Sequence, residues 1–146
     1  MADWRFVASI ICAFFGDILV MLGIYSLGMQ IAENNQTLGY VTAILGCAGT
    51  VGGVLVHTSL CIQPLIYKRL VEAGHPELVD SVLKTFYKAI AFPFFLGYLL
   101  LMTPCVTSVI AILTGCLDVP KWFVLLNSIV FLIIGVTFRK FSERSA

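Results

Sequence analysis

Charge is what this chain has least of. Asp, Glu, Lys and Arg together make up 12% of its 146 residues, and hydrophobic residues make up 60%. Soluble domains carry roughly 25% and roughly 45 to 50%. A water-facing surface cannot be assembled from such material, so a soluble globular domain is excluded and a lipid bilayer is the expected surrounding. The net charge of +1 supplies no basic face for nucleic acid. The five cysteines, Cys12, Cys47, Cys61, Cys105 and Cys116, form no CxxC pair and no metal spacing. With only His57 and His75 to add, and those predicted in different environments, neither a zinc site nor a redox pair is expected. The cluster "GCAGTVGG" lacks the GxGxxG spacing and a preceding strand, so it reads as helix packing and not as a nucleotide loop. No motif implies a cofactor. Linkers, low-complexity tracts and internal repeats are also missing, which leaves one domain over residues 1–146.

What is present is a set of long apolar runs. Crossing about 30 Å of hydrocarbon takes about 20 apolar residues in a helix, and four segments are candidates: Phe6 to Met29, Leu38 to Ile66, Ile90 to Leu113 and the shorter Trp122 to Phe138. The expected fold is therefore an all-α, four-helix transmembrane bundle. Pro93 and Pro104 should bend the third span. The first run outlasts a signal-peptide core and no A-x-A site closes it, so it is expected to be retained as a span.

Between the second and third runs, "YKRLVEAGHPELVDSVLKTFYKA" has Pro76 suited to a helix's first turn and an apolar stripe of Leu78, Val79, Val82, Leu83 and Phe86. This amphipathic segment either lies on the inner leaflet or continues into the third span. Cationic residues are divided unevenly among the connectors. Arg5, Lys68, Arg69, Lys84, Lys88, Arg139, Lys140 and Arg144 share one side of the expected topology, against Lys121 alone on the other. The positive-inside rule then puts both termini in the cytoplasm.

One residue is expensive where it sits. Asp17, in "AFFGDILVML", lies in the middle of the first run, where an aspartate costs insertion roughly 3 kcal/mol while each apolar neighbour returns roughly 0.3 to 0.6. The span still inserts, but Asp17 should turn into the bundle, find a polar partner or stay neutral. Depth nominates partners. At about 1.5 Å per residue, Asp17 lies about 16 Å, His57 about 14 Å and Tyr98 about 12 Å from the cytoplasmic ends of their spans. Gly46, Gly49, Gly53 and His57 share one helical face, and small residues three or four apart let a second helix approach closely. In the first span Ser9, Cys12, Gly16, Gly23 and Ser26 form another small stripe, which Asp17 borders. Asp17, His57 and Tyr98 are thus the candidate binding or proton-relay residues, and Gly16, Gly46, Gly49 and Gly53 the candidate packing residues. A purely structural polar clamp of Asp17 and His57 is the competing account.

The later half adds a resemblance. Gly115, Pro120, Lys121 and Trp122 in "TGCLDVPKW", Leu126 and Asn127 in "LLNS", Gly16 with Asp17, and His57 after a glycine run resemble an uncharacterised family of bacterial multi-pass membrane proteins, a domain of unknown function. The resemblance implies membrane class and, with it, the bacterial inner membrane; it implies no activity. Span number is also similar to small proton-coupled exporters with an acid in the first helix, where Asp17 is a positional analogy. The arginine-rich, asparagine-bearing signature of small glutathione- and eicosanoid-processing membrane enzymes is missing.

The expected function is binding or translocation of a small solute or proton through a polar centre on Asp17 and His57. The alternatives are an accessory subunit of a larger membrane complex and a small membrane-embedded enzyme. Short-looped helices with unused glycine seams also imply a homo-oligomer or a subunit role.

Overall fold

The computed structural model describes residues 3–144, with the side chains of residues 140–144, including Lys140 and Arg144, outside that description. Among the described residues every regular element is helical. Helix α1 spans Trp4–Asn34, α2 spans Gln36–Glu72, α3 spans Val79–Thr114 and α4 spans Ser128–Arg144, with 3-10 turns at Pro76–Leu78 and Lys121–Leu126. The long helices exist because their residues are apolar nearly throughout: three helical stretches, Trp4–Asn34, Gln36–Glu72 and Pro76–Thr114, are long and apolar enough to cross a membrane.

The helix ends near Asn35 and Gly74 are built from local chemistry. Asn35 is the single residue between α1 and α2; its backbone is extended and its side chain accepts a hydrogen bond from Leu38 N at 3.0 Å, capping α2. At the other end of α2, Gly74 takes a left-handed φ of 80°. Its N–H donates to the Val71 carbonyl and the His75 N–H to the Leu70 carbonyl, a Schellman closure that a side chain at residue 74 would strain. Of the two expectations for the amphipathic connector, the helix follows the second and continues into the third span. After the 3-10 turn, α3 runs unbroken from residue 79 through Pro93 and Pro104 to its left-handed cap at Gly115. Its Val79, Leu83 and Phe86 are half-buried while Leu78 and Val82 are exposed.

The fourth expected span departs most from a continuous helix. Residues 121–126 wind as a 3-10 turn, the backbone opens at Asn127 (φ −70°, ψ 140°), and only then does α4 begin. The break has a local cause. Asn127 Oδ1 accepts from Ile129 N at 3.0 Å as an N-cap, while its amide donates to the Cys105 carbonyl (3.0 Å) and the Ser108 hydroxyl (3.1 Å) on α3. The apolar part of α4, Ser128–Arg139, is shorter than the other three.

Helix α2 is the centre of the arrangement, with α1 and α3 packed on it and little direct contact between those two. Among the described residues, helix α4 meets the rest through α3 and its own preceding turn. Glycines set the distances. A methyl group built at Gly49 would lie 2.5 Å from Leu101 N and 2.7 Å from the Leu100 carbonyl carbon; one at Gly52 would lie 2.6 Å from the Gly97 Cα. So α2 and α3 touch backbone to backbone. Gly28 and Gly39 do the same for α1 and α2, against Ala43 and Ala32 respectively. Burial is complete toward the Asn35 turn, at Ile31, Thr42 and Ala111, and continues along α2 at Thr50 and Ser59. Toward that turn Thr42 and Thr107 bring their hydroxyls to 2.8 Å across the α2–α3 contact.

At the opposite end Asp3 meets Lys68 and Arg69, each at 2.5 Å, which ties the start of α1 to the end of α2. The Lys68 ammonium beside Asp3 holds its carboxyl below the usual carboxylate range.

Candidate functional site

The antiparallel α1–α2 seam can be followed by its pairings: Asp3 with Lys68, Ser9 with His57, Asp17 with Gly53, Ile24 with Gly46, and Ala32 with Gly39. Asp17 turns onto this seam, as its cost in lipid requires. Its carboxylate lies over the bare backbone of Gly53, where a built methyl would sit 3.7 Å from Oδ1 and 3.8 Å from Oδ2. It is half-buried. A groove of about 450 Å³ opens beside it, walled by Phe14, Ile18, Met21, Val51, Val54 and Leu55, with the hydroxyls of Thr50 and Thr58. Thr50 spends its proton on the Cys47 carbonyl at 2.7 Å. The remaining wall is apolar.

His57 is on the same seam but bonds elsewhere. Its Nε2 lies 3.0 Å from Ser9 Oγ and 3.5 Å from Cys61 Sγ. Counting depth from the expected span ends puts Asp17 and His57 level; the helices are instead staggered. Because Asp17 meets Gly53, and His57 follows Gly53 by four residues, the imidazole stands about one turn, roughly 5 to 6 Å, nearer the Asp3 end. Among the described residues no hydrogen bond or ion pair joins Asp17 to any side chain. The structure therefore stacks two polar sites along one seam, a Ser9–His57–Cys61 cluster and the lone Asp17 carboxylate, and does not join them in a direct clamp.

Tyr98 stands apart. It is 44% exposed on α3, beside Gly97, which faces α2. Among the packing candidates, Gly46, Gly49 and Gly53 face neighbours as expected, whereas a methyl at Gly16 would meet nothing within 4 Å. Gly16 is not a packing residue within this chain. Gly52, part of the cluster read as helix packing, meets Gly97 across α2 and α3, whereas sequence reasoning missed Gly28, Gly39 and Gly97, which lie at helix crossings, and Cys61. The signal for Cys61 was its place four residues after His57, on the same helical face.

Another polar contact lies nearer the charged end. Tyr87 donates to Gln63 Oε1 at 2.6 Å across α2 and α3, and Gln63 Nε2 is buried with no partner among the described residues. Among the described residues no group of three His, Cys, Asp or Glu side chains could hold a metal ion.

A family model described as a family of unknown function, DUF6796, matches residues 1–145. The chain belongs to DUF6796. The match runs through all four helices of this DUF6796 protein, so the seam of α1 and α2 lies inside the family's own extent as much as the turn around Trp122 and Asn127 does. No curated protein matches this DUF6796 chain, and no solved structure does.

Proposed function

We propose that this DUF6796 protein is a multi-pass protein of the bacterial inner membrane that binds or translocates a small solute or proton through the α1–α2 seam. The observation that carries the proposal is a carboxylate in the middle of an apolar helix, without a charge partner, on an open groove. Ionisable groups at such depth commonly belong to solute or proton pathways. Ser9, His57 and Cys61 extend the polar line toward the charged end.

The proposed topology has four crossings and cytoplasmic termini. A chain crossing three times would leave Arg139, Lys140 and Arg144 on the side opposite Arg5, Lys68 and Arg69, against the positive-inside rule. Length permits the fourth crossing. Six residues of 3-10 turn rise about 12 Å and the twelve residues of Ser128–Arg139 about 18 Å, together close to the roughly 30 Å of a hydrocarbon core.

The test is proton flux in proteoliposomes under an imposed pH gradient, read with an enclosed pH-sensitive dye. Native protein should accelerate the collapse of the gradient, and Asp17→Asn should abolish that while leaving helical content and detergent behaviour unchanged. Equal flux from both proteins would remove the proton pathway from Asp17. A second reading, a subunit of a homo-oligomer or of a larger membrane complex, is favoured by the scarcity of fully buried side chains and by the exposed Phe14, Phe15 and Leu19 on α1. It predicts no flux and co-purification with a partner in mild detergent.

A further inference from the structure

The groove beside Asp17 narrows the class of solute. Its walls are mainly apolar, with Thr50 and Thr58 among them, and Asp17 is the one ionisable residue lining it among the described residues. His57, about one turn away on α2, bonds to Ser9 and Cys61 and makes no ion pair with Asp17, and the Lys and Arg side chains of the packed helices are distant. Arg5 precedes Asp17 by twelve residues on α1, Lys68 follows Gly53 by fifteen on α2, and Lys88 precedes Gly97 by nine on α3. At about 1.5 Å per residue these offsets are roughly 13 Å or more along the helices. No Lys or Arg of the described residues neutralises the carboxylate at close range.

An acidic group in low-dielectric surroundings is stabilised by an opposite charge far more than it would be in water. The apolar walls reward a ligand that leaves water with hydrophobic surface of its own. A hydrated metal ion satisfies the charge but not the walls, and a neutral lipid tail satisfies the walls but not the charge. A compact organic cation with hydrophobic substituents satisfies both. Phe14 lines the groove and is half exposed, so an aromatic face is also available to a cation.

We propose that the α1–α2 groove is a binding site for lipophilic monocations, tertiary amines or quaternary onium ions, with Asp17 as counter-ion and Phe14, Ile18, Val54 and Leu55 around the hydrophobic body. This rests on the reading of the seam as a solute site. Entry is from the side of the bundle, between α1 and α2. Gly53 presents no side chain to the carboxylate, and a methyl built there would touch it at ordinary contact distance, 3.7 Å from Oδ1.

The experiment is equilibrium dialysis of radiolabelled tetraphenylphosphonium against the full chain in detergent micelles, with empty micelles subtracted and uncharged triphenylphosphine oxide as competitor. Saturable binding is expected for native protein. Asp17→Asn should weaken it about tenfold or more, the loss expected when a charged pair becomes a neutral one. Val54→Phe, which fills the groove and keeps the carboxylate, should weaken it as well. Thermal melts of each variant identify any that does not fold, and the pair keeps the test decisive if one of them fails. Absence of saturable binding to native protein, native-level binding by both variants, or full competition by the uncharged analogue would overturn the assignment. If native vesicles conduct protons through Asp17 but the protein binds no phosphonium, the pathway reading survives and the cation site falls.

Discussion

Replacing Gly49 with alanine separates a backbone-to-backbone helix crossing from one merely lined by small residues. The new methyl would arrive 2.5 Å from Leu101 N, 2.7 Å from the Leu100 carbonyl carbon and 2.8 Å from the Leu101 Cα. All three are main-chain atoms of a continuous helix, so no side chain can swing away. Ordinary contact requires α2 and α3 to part by about 1 Å. Overpacking of this kind costs about 1 to 3 kcal/mol, and three main-chain contacts place Gly49→Ala near the top of that range. Alanine's better helix propensity returns up to about 1 kcal/mol. The expected net loss is about 2 kcal/mol. Gly16→Ala is the control, because nothing lies within 4 Å of its built methyl; it should gain about 0.5 to 1 kcal/mol. The two variants should therefore differ by about 3 kcal/mol, roughly a hundredfold in the unfolding equilibrium. Reversible unfolding in mixed micelles of increasing denaturing-detergent fraction, followed by circular dichroism, measures the difference. Equal midpoints for the two alanine variants, or a native-like Gly49→Ala, would refute the close crossing.

Three further outcomes follow from polar contacts. Thr42 is fully buried and meets Thr107 across α2 and α3; a double-mutant cycle with Thr42→Val and Thr107→Val should return a coupling of about 0.6 kcal/mol, the usual size of such bonds between membrane helices. Asn127→Ala removes both the cap of α4 and the amide contacts to α3, and should cost about 1 to 2 kcal/mol, read as faster hydrogen exchange confined to α4 and its turn. Asp3 has its carboxyl pKa lowered by Lys68. Its contribution is thus fully present above the ordinary carboxylate value and is lost as pH falls through the lowered folded one. Unfolding midpoints of native protein and Asp3→Asn, separated at neutral pH, should converge in acid; a constant gap would show that the ion pair is not the cause.

Much of this was legible because lipid-compatible helices announce themselves by composition. The runs around α1, α2 and α3 are apolar over more than the thickness of a bilayer, and no tertiary information is needed to see it. Asp17 stood out for the same reason, as one charge among apolar neighbours. The fourth run was misread as one helix because apolar residues resume directly after Asn127 and Ser128, and hydropathy carries no information about a side chain that caps one helix while bonding another. Gly16 was misjudged for a related reason. Its spacing with Ser9, Cys12 and Gly23 matches a packing stripe, but periodicity defines a face and not whether a neighbour lies against it.

From the sequence alone came the helical, lipid-compatible character of the chain and the cost of a carboxylate at residue 17, since both depend only on which groups must leave water. The tertiary structure decided that α2 is central, that Gly52 meets Gly97, and that His57 pairs with Ser9 one turn away from Asp17. Those are matters of axial stagger between helices. Stagger is set by where two surfaces interlock over several turns, and a shift of one turn leaves every residue's own hydropathy unchanged while giving His57 a different partner.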